Sequence, residues 1–449
     1  MSKQFDVIVL GTGSAGSTVA HTCKKAGMSV AIIDSRPFGG TCALRGCVPK
    51  KVYTAASEAV DWADRLNDKG IDKNNLRINW GDLQEFKRTF TEPFPENREQ
   101  GYTDAGIDTY HGRAEYADDH TVHVGDTTLR GEHIVIATGA KPRPLGIPGE
   151  QYLTSSTDFL NLEQLPDDIV FIGAGFISME FAHVAVRAGA SVRIIHRSAR
   201  PLKPFDPDLV DILVDASRDA GIEFSFNAEL TAVDHSNDAY MVHATKDGEE
   251  LTFETDMVVH GAGRVAEIDD LNLENVSVDA PSRGVKVNEY LQSETHPHIY
   301  AGGDAADSGP PLTPVASLDG EVIADNIING ASRTPDYRVV PSVVFSEPHL
   351  TTVGLSEQQA RDQGRDFRVS FSDTGNWVTS RRINQPYSGF KILIEKETDL
   401  ILGAHLLGPH AEEVINIFAL AIKEDIPAST LKEMIYAYPT SASDISYML

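Results

Sequence analysis

Short apolar runs that stop at glycine recur along this chain, each followed by a stretch of helical character. The first run is Val7-Ile8-Val9-Leu10. Gly11-Thr12-Gly13-Ser14-Ala15-Gly16 follows, then a helical pattern to Ala26 that Gly27 closes. A second run, Val30-Ala31-Ile32-Ile33, ends at Asp34. The order is strand, glycine turn, helix, strand, acid, which is the pattern of a dinucleotide-binding βαβ unit.

The pattern returns about 160 residues later. Ile169-Val170-Phe171-Ile172 leads into Gly173-Ala174-Gly175-Phe176-Ile177-Ser178, a helix to Ala188, Gly189, and a strand from Ser191 to Ile195 that ends in His196-Arg197. Ser178 stands at the third glycine position and is still small enough for close packing. Other buried strands close on turns at Ile134-Val135-Ile136-Ala137-Thr138-Gly139-Ala140 and at Ile299-Tyr300-Ala301-Gly302-Gly303-Asp304. Beyond about Pro341 the tail reads as a separate α+β segment, with strands from Ser342 to Phe345 and Phe390 to Ile394 and a helix from Ala411 to Lys423. Residues 61–80 read as an exposed helix and a polar connection. A chain of 449 residues exceeds one core. The expected fold is therefore α/β, with two Rossmann-like dinucleotide-binding domains plus an α+β domain.

Each motif residue has a physical reason. The first two glycines permit the tight turn and let backbone approach a pyrophosphate, and the third lets helix pack on strand. The helix N-terminus offers N–H groups and a positive dipole end to phosphate. The two copies differ at the strand end. Asp34 suits free ribose hydroxyls, whereas the second copy offers Arg197, with Arg200 and Lys203 behind it. Cations there suit the 2′-phosphate of NADPH.

Charge and cysteine count narrow the function classes. The formal net charge is −27, so nucleic acid and anionic lipid are not expected partners. No apolar run approaches the ~18 residues of a membrane span. The opening residues run straight into a strand and leave no room for a signal peptide, so a cytoplasmic location is expected. The cysteines are Cys23, Cys42 and Cys47, too few for a disulfide framework, and no second Cys/His cluster of zinc spacing accompanies them. Redox chemistry is expected, and no metal site.

Phe38-Gly39-Gly40-Thr41-Cys42-Ala43-Leu44-Arg45-Gly46-Cys47-Val48-Pro49-Lys50-Lys51 carries that chemistry. On a regular helix, residues five apart are separated by about 140° and roughly 7.5 Å of rise. A disulfide needs Cα atoms within about 7 Å. Bridging Cys42 and Cys47 therefore requires Cys42 at or before a helix start with a bend nearby, and Gly39, Gly40 and Gly46 give that freedom. A thiol at a helix N-terminus also has a lowered pKa, and the thiolate is the reactive species. Cys23 lies mid-helix and reads as an ordinary helix residue.

With these motifs in this order, the whole chain resembles the class I pyridine nucleotide–disulfide oxidoreductases: glutathione reductase, dihydrolipoamide dehydrogenase, mercuric reductase and relatives. The stretch from Gly39 to Lys51 looks most like glutathione reductase. The resemblance implies FAD and NADPH as cofactors, a homodimer, and four segments: 1–148 FAD-binding with the redox pair, 149–265 NADPH-binding, 266–338 FAD-binding again, 339–449 dimerisation. It implies FAD contacts at Gly11, Gly13, Ser14, Gly16, Asp34, Gly40, Thr41, Lys51, Thr138, Gly139 and Asp304. Nucleotide contacts are implied at Gly173, Gly175, Phe176, Ile177, Arg197, Lys203 and Gly263, with Phe176 as an aromatic gate. Cys47 is implied as the thiol against the flavin, Cys42 as the interchange thiol that meets substrate, and Lys50 as the partner of Glu180 near the flavin. Electrons would pass from NADPH through FAD and the Cys42–Cys47 pair to a low-molecular-weight disulfide.

Near its end the chain departs from the family. Relatives of this kind carry a proton-shuttling His and a Glu that holds it, whereas Tyr438 and Ser443 stand at those positions. A phenol with a pKa near 10 is a poor base at neutral pH, though it donates a proton or hydrogen bond. Two explanations compete: a small electrophilic oxidant whose leaving group needs little protonation, such as hypothiocyanous acid, or a disulfide served slowly by water or Tyr438. In glutathione reductase an arginine of the first helix grips the substrate, and His21 stands there instead. A flavoprotein that reduces quinones or metal ions, with cysteines of little consequence, is the alternative from another class.

Overall fold

The computed structural model describes residues 3–449. It divides into two compact units. The first comprises residues 1–51, 85–143 and 264–337, and the second comprises 52–84, 144–263 and 338–449.

In the first unit the strand Lys3–Leu10 pairs in parallel with Val30–Asp34 on one side and with Thr127–Ile136 on the other. Asp108–His111 extends the sheet beyond Val30–Asp34. Along its other edge the long strand Thr127–Ile136 serves two further partners. Its early residues pair antiparallel with Thr121–Val124, and its last three pair in parallel with Ile299–Ala301. Val7, Ile8, Val9, Ile32, Ile134 and Val135 are wholly buried, as expected of strands covered on both faces. The helices Ser14–Lys25 and Thr313–Asn329 pack against each other. A Cβ on Gly320 would lie 2.6 Å from the Ala15 carbonyl oxygen, so only glycine permits that approach.

In the second unit Ile222–Phe226, Ser191–His196, Asp168–Ile172 and Met257–His260 form a parallel sheet in that order. A three-stranded antiparallel meander runs from Ala228–Ser236 through Ala239–Lys246 to Glu249–Thr255. The tail builds a five-stranded antiparallel sheet, ordered Ser342–Val344, Leu350–Gly354, Ile401–Leu407, Gly389–Glu395 and Phe367–Asp373. The helix Ala411–Lys423 packs on it through Val414, Ile415 and Phe418. The fold is thus the expected α/β class with an α+β tail.

One expectation needs correction. Residues 61–65 are not an exposed helix but the end of the long helix Cys47–Arg65. Asp61 is buried and accepts from Arg65 at 2.7 Å and from Arg187 at 2.6 Å. Burial of a carboxylate is tolerated there because two guanidinium groups pair with it. Among the described residues no helix is long and apolar enough to cross a membrane.

Candidate active site

The first glycine turn is built as its sequence requires. Gly11 has φ of +110°, and a Cβ there would stand 2.2 Å from the Ala137 carbonyl oxygen. A Cβ on Gly16 would meet the Gly11 carbonyl oxygen at 2.1 Å, which is the close helix-on-strand approach expected of a third glycine. Gly13 caps the helix Ser14–Lys25 and offers no side chain to its first-turn N–H groups. Those groups remain available to a phosphate.

Asp34 ends its strand facing this turn. One carboxylate oxygen accepts from the Thr12 N–H at 3.0 Å and the Thr12 hydroxyl at 2.6 Å, and the other accepts from the Arg36 N–H at 3.0 Å. Thr12 in turn accepts from the Gly39 N–H at 3.0 Å. Hydrogen bonds through Thr12 thus tie Asp34 and the nucleotide turn to the redox loop. A carboxylate has about four acceptor positions, so Asp34 retains capacity for ribose hydroxyls.

The remaining first-unit candidates gather around that turn. Gly40 has φ of +69°, and a Cβ on it would lie 2.4 Å from Gly13 Cα. Thr41 precedes Cys42 on the same helix, and Lys51 is exposed. Thr138 leaves a buried hydroxyl oxygen without a hydrogen-bond partner, and Gly139 beside it has φ of +78°. Asp304 sits in the turn Gly303–Ala305. Burial raises its pKa, and the Arg264 guanidinium opposes the rise. A glycine cradle, an orphaned hydroxyl and a paired acid fit a bound dinucleotide.

The redox loop differs from the sequence expectation in one respect. Cys42 is the third residue of the short helix Gly40–Arg45 and so lies past a helix start. Gly46, with φ of −145° and ψ of −116°, breaks the path, and Cys47 opens the helix Cys47–Arg65. It is Cys47 that stands at a helix N-terminus. The break supplies the bend that the five-residue spacing demands.

The two thiols are free and electrostatically split. A hydrogen bond from Cys42 is the main cause that lowers Cys47 to about 6, against an opposing burial effect and with help from Thr313 and the Lys50 ammonium. The same hydrogen bond, with burial, pushes Cys42 far up. Cys47 Sγ lies 3.4 Å from Thr313 Oγ1. The pair thus favours the thiolate on Cys47 and the proton on Cys42. Cys23 is buried, and burial pushes its thiol up to about 12.

The second glycine turn repeats the first. Gly173 has φ of +87°, and a Cβ would lie 2.5 Å from the Gly261 carbonyl oxygen. Ser178 fills the third-glycine role, since a Cβ on Gly261 would meet its hydroxyl at 1.9 Å. Gly175 caps the helix Phe176–Arg187, where Phe176 is exposed and Ile177 half-buried, and Gly263 is exposed with φ of +111°. Arg197 and Lys203 are both exposed. Arg200 is engaged by Asp211 at 2.8 and 3.0 Å, whereas Arg197 and Lys203 have no carboxylate partner among the described residues. Glu180 is buried and accepts from the Phe345 N–H at 2.9 Å.

At the C-terminus Tyr438 is 76% exposed. Ser443 does not hold it. Ser443 forms a reciprocal cap with Thr440, at 3.2 and 3.3 Å. His21 stacks on Tyr102 with centroids 5.2 Å apart.

Sequence reasoning missed Thr12, Thr313 and Arg264, which leave no periodic or motif signal. It also expected no metal cluster, yet Asp119, His120 and His298 bring three donor atoms within 4.8 Å of one another. The two imidazoles stack at 4.0 Å and 14°, and His120 Nδ1 and His298 Nε2 are each engaged by a backbone carbonyl at 2.8 Å, of Gly131 and Asp119.

Residues 5–320 match the pyridine nucleotide-disulphide oxidoreductase family, and residues 340–448 match its dimerisation domain. The chain belongs to this family of flavoprotein oxidoreductases, whose members use FAD and a pyridine nucleotide. It is 30% identical to a mercuric reductase of Staphylococcus aureus, over 98% of this chain and 81% of that one. It is 31% identical to a glutathione reductase of Burkholderia cepacia, over 98% and 97%. Among solved structures it is similar to the copper(II) complex of the HOCl-induced flavoprotein disulfide reductase RclA from Escherichia coli. That match has a TM-score of 0.89 and 26% identity and covers 99% of each chain.

Proposed function

We propose that this protein uses NADPH, through FAD, to reduce the Cys42–Cys47 disulfide, and that the resulting dithiol reduces a low-molecular-weight disulfide or a small thiol-reactive oxidant. The observation that carries this is the thiol pair set across the Gly46 break, with Cys47 opening the helix Cys47–Arg65 at 3.4 Å from Thr313 Oγ1, and the hydrogen bond to Cys42 lowers its thiol. In our reading FAD lies along Gly11, Gly13, Ser14, Gly16, Asp34, Gly40, Thr41, Lys51, Thr138, Gly139 and Asp304. NADPH lies along Gly173, Gly175, Phe176, Ile177 and Gly263, with its 2′-phosphate on Arg197 and Lys203. This follows the division into 1–148 and 266–338 for FAD, 149–265 for NADPH and 339–449 for dimerisation.

Bound FAD supplies two-electron transfer between the nicotinamide and the disulfide. The protein does the rest. Thr313, Lys50 and Cys42 hold Cys47 as a thiolate. Cys42 passes its proton to Cys47, and its thiolate attacks the oxidised sulfur of the substrate; the substrate bond to that sulfur breaks, and the anion that leaves takes the proton from Cys47 to become the first product. The Cys47 thiolate then attacks Cys42 Sγ, restores the disulfide and releases the second product as its anion.

Two observations favour a small oxidant over glutathione disulfide. Tyr438 and Ser443 are not assembled as an acid–base pair, and His21 is stacked on Tyr102. The likeness to an HOCl-induced reductase agrees with this. A homodimer is supported by exposed apolar side chains in the tail, among them Val378 at 63%, Leu420 at 59% and Ile435 at 96%.

Steady-state NADPH oxidation against glutathione disulfide, hypothiocyanous acid, quinones and mercuric ion tests the assignment. Fast hypothiocyanous acid turnover with negligible glutathione disulfide turnover is expected. Turnover of the disulfide or thiol-reactive oxidant that survives Cys42→Ser would overturn the dithiol reading.

A further inference from the structure

The helix Thr313–Asn329 carries an aspartate where its packing calls for an apolar residue. Asp319 is 0% exposed, one position before Gly320, whose contact with Ala15 leaves no room for a side chain. A carboxylate in that place needs hydrogen-bond partners. It has two. One oxygen accepts from the Gly303 N–H at 2.8 Å, and the other accepts from the Tyr337 hydroxyl at 2.5 Å.

Gly303 is the first residue of the turn that carries Asp304, and it has φ of +62°. The turn is packed so closely on the helix that a Cβ on Gly302 would lie 2.7 Å from Ile323 Cδ1 and 3.2 Å from Asp319 Cβ. The Asp319 carboxylate therefore fixes the direction of the backbone from which Asp304 projects. Tyr337 fixes the carboxylate in turn, and burial raises the pKa of both groups.

We propose that Asp319 is a positioning residue of the FAD site: its buried carboxylate clamps the Gly303–Asp304 turn to the helix Thr313–Asn329, and Tyr337 holds that carboxylate in place. This rests on the reading of Asp304 as a flavin contact. Asp319 itself touches no cofactor. Its effect is to keep Asp304 preorganised, so its loss weakens FAD binding while leaving the apoprotein folded.

The test is FAD affinity of the apoprotein, by flavin fluorescence quenching, alongside apoprotein melting temperature, for Asp319→Ala, Asp319→Asn and Tyr337→Phe. Asp319→Ala is expected to weaken FAD about tenfold or more, since a buried N–H loses its acceptor. Asp319→Asn keeps a carbonyl acceptor and is expected to stay within about threefold of the parent, and Tyr337→Phe to fall between the two. Asp319→Ala or Tyr337→Phe with parental FAD affinity overturns the clamp. A lower apoprotein melting temperature with unchanged affinity also overturns it, since that outcome marks a purely structural aspartate. Should Asp319→Ala not fold, Tyr337→Phe decides. Absence of FAD binding by the parent protein sinks the cofactor reading instead.

Discussion

Cys47 Sγ lies 3.4 Å from Thr313 Oγ1, at the point where one helix begins and the first residue of another arrives. The hydroxyl helps to lower the pKa of a thiol that Cys42 and Lys50 also lower. Peptide-resolved alkylation of the reduced apoprotein reads this directly. Cys47 labelling is expected to rise through about pH 6 and to level off above it, because only the thiolate reacts. Thr313→Val removes one stabilising donor, so the midpoint moves up by about half a unit. A midpoint left at that of the parent contradicts the role given to Thr313.

Arg197 and Lys203 carry the nucleotide preference. Arg197→Glu replaces a cation by an anion where the 2′-phosphate is expected. The ratio of kcat/KM for NADPH over NADH should fall by about tenfold or more. Arg200→Ala should leave the ratio near that of the parent, because Asp211 already holds that guanidinium. An unchanged ratio in Arg197→Glu ends the 2′-phosphate assignment.

Glu347 gives the fold a pH dependence of its own. It is 6% exposed, with one buried oxygen lacking a hydrogen-bond partner, and burial pushes its pKa from 4.5 up to about 8. His349 and Arg187 oppose that rise, and Asp61 and Glu58 add to it. A carboxyl held protonated in the fold but ionised in the unfolded chain contributes stability below pH 4.5 that is lost as pH rises to about 8. Glu347→Gln removes the loss. Its melting temperature should match the parent near pH 4.5 and exceed it by a few degrees, about 2–4 °C or more, at pH 8. A difference that does not change with pH would show that Glu347 titrates normally.

Tyr438 is exposed and lacks the carboxylate that would make it part of a proton relay. Tyr438→Phe should leave turnover of a small oxidant within about twofold of the parent. A loss of about tenfold or more would mean that the phenol supplies a proton in the reaction.

Much of this was legible in the chain because glycine turns and covered strands leave local marks. Gly11 and Gly173 need positive φ and no Cβ, and the apolar runs beside them need burial on both faces. The helix expected from Ala411 to Lys423 has those bounds in the structure. The redox loop was only partly legible: the expected bend lies at Gly46, but Cys42 falls inside the helix Gly40–Arg45 and it is Cys47 that opens a helix. Thr313, 266 residues from Cys47, and Asp319 were not legible at all. Hydrogen bonds between distant segments follow no sequence period, so only the fold brings these residues to the site.

The most direct measurement is the count of alkylatable thiols in the oxidised, FAD-loaded protein before and after anaerobic addition of NADPH, resolved by peptide mass spectrometry. Labels on Cys42 and Cys47 that appear only after NADPH, with Cys23 unlabelled, are the expected result. Bleaching of the flavin without any new label on Cys42 or Cys47 would contradict the dithiol relay and point to a flavoprotein that passes its electrons on without these cysteines.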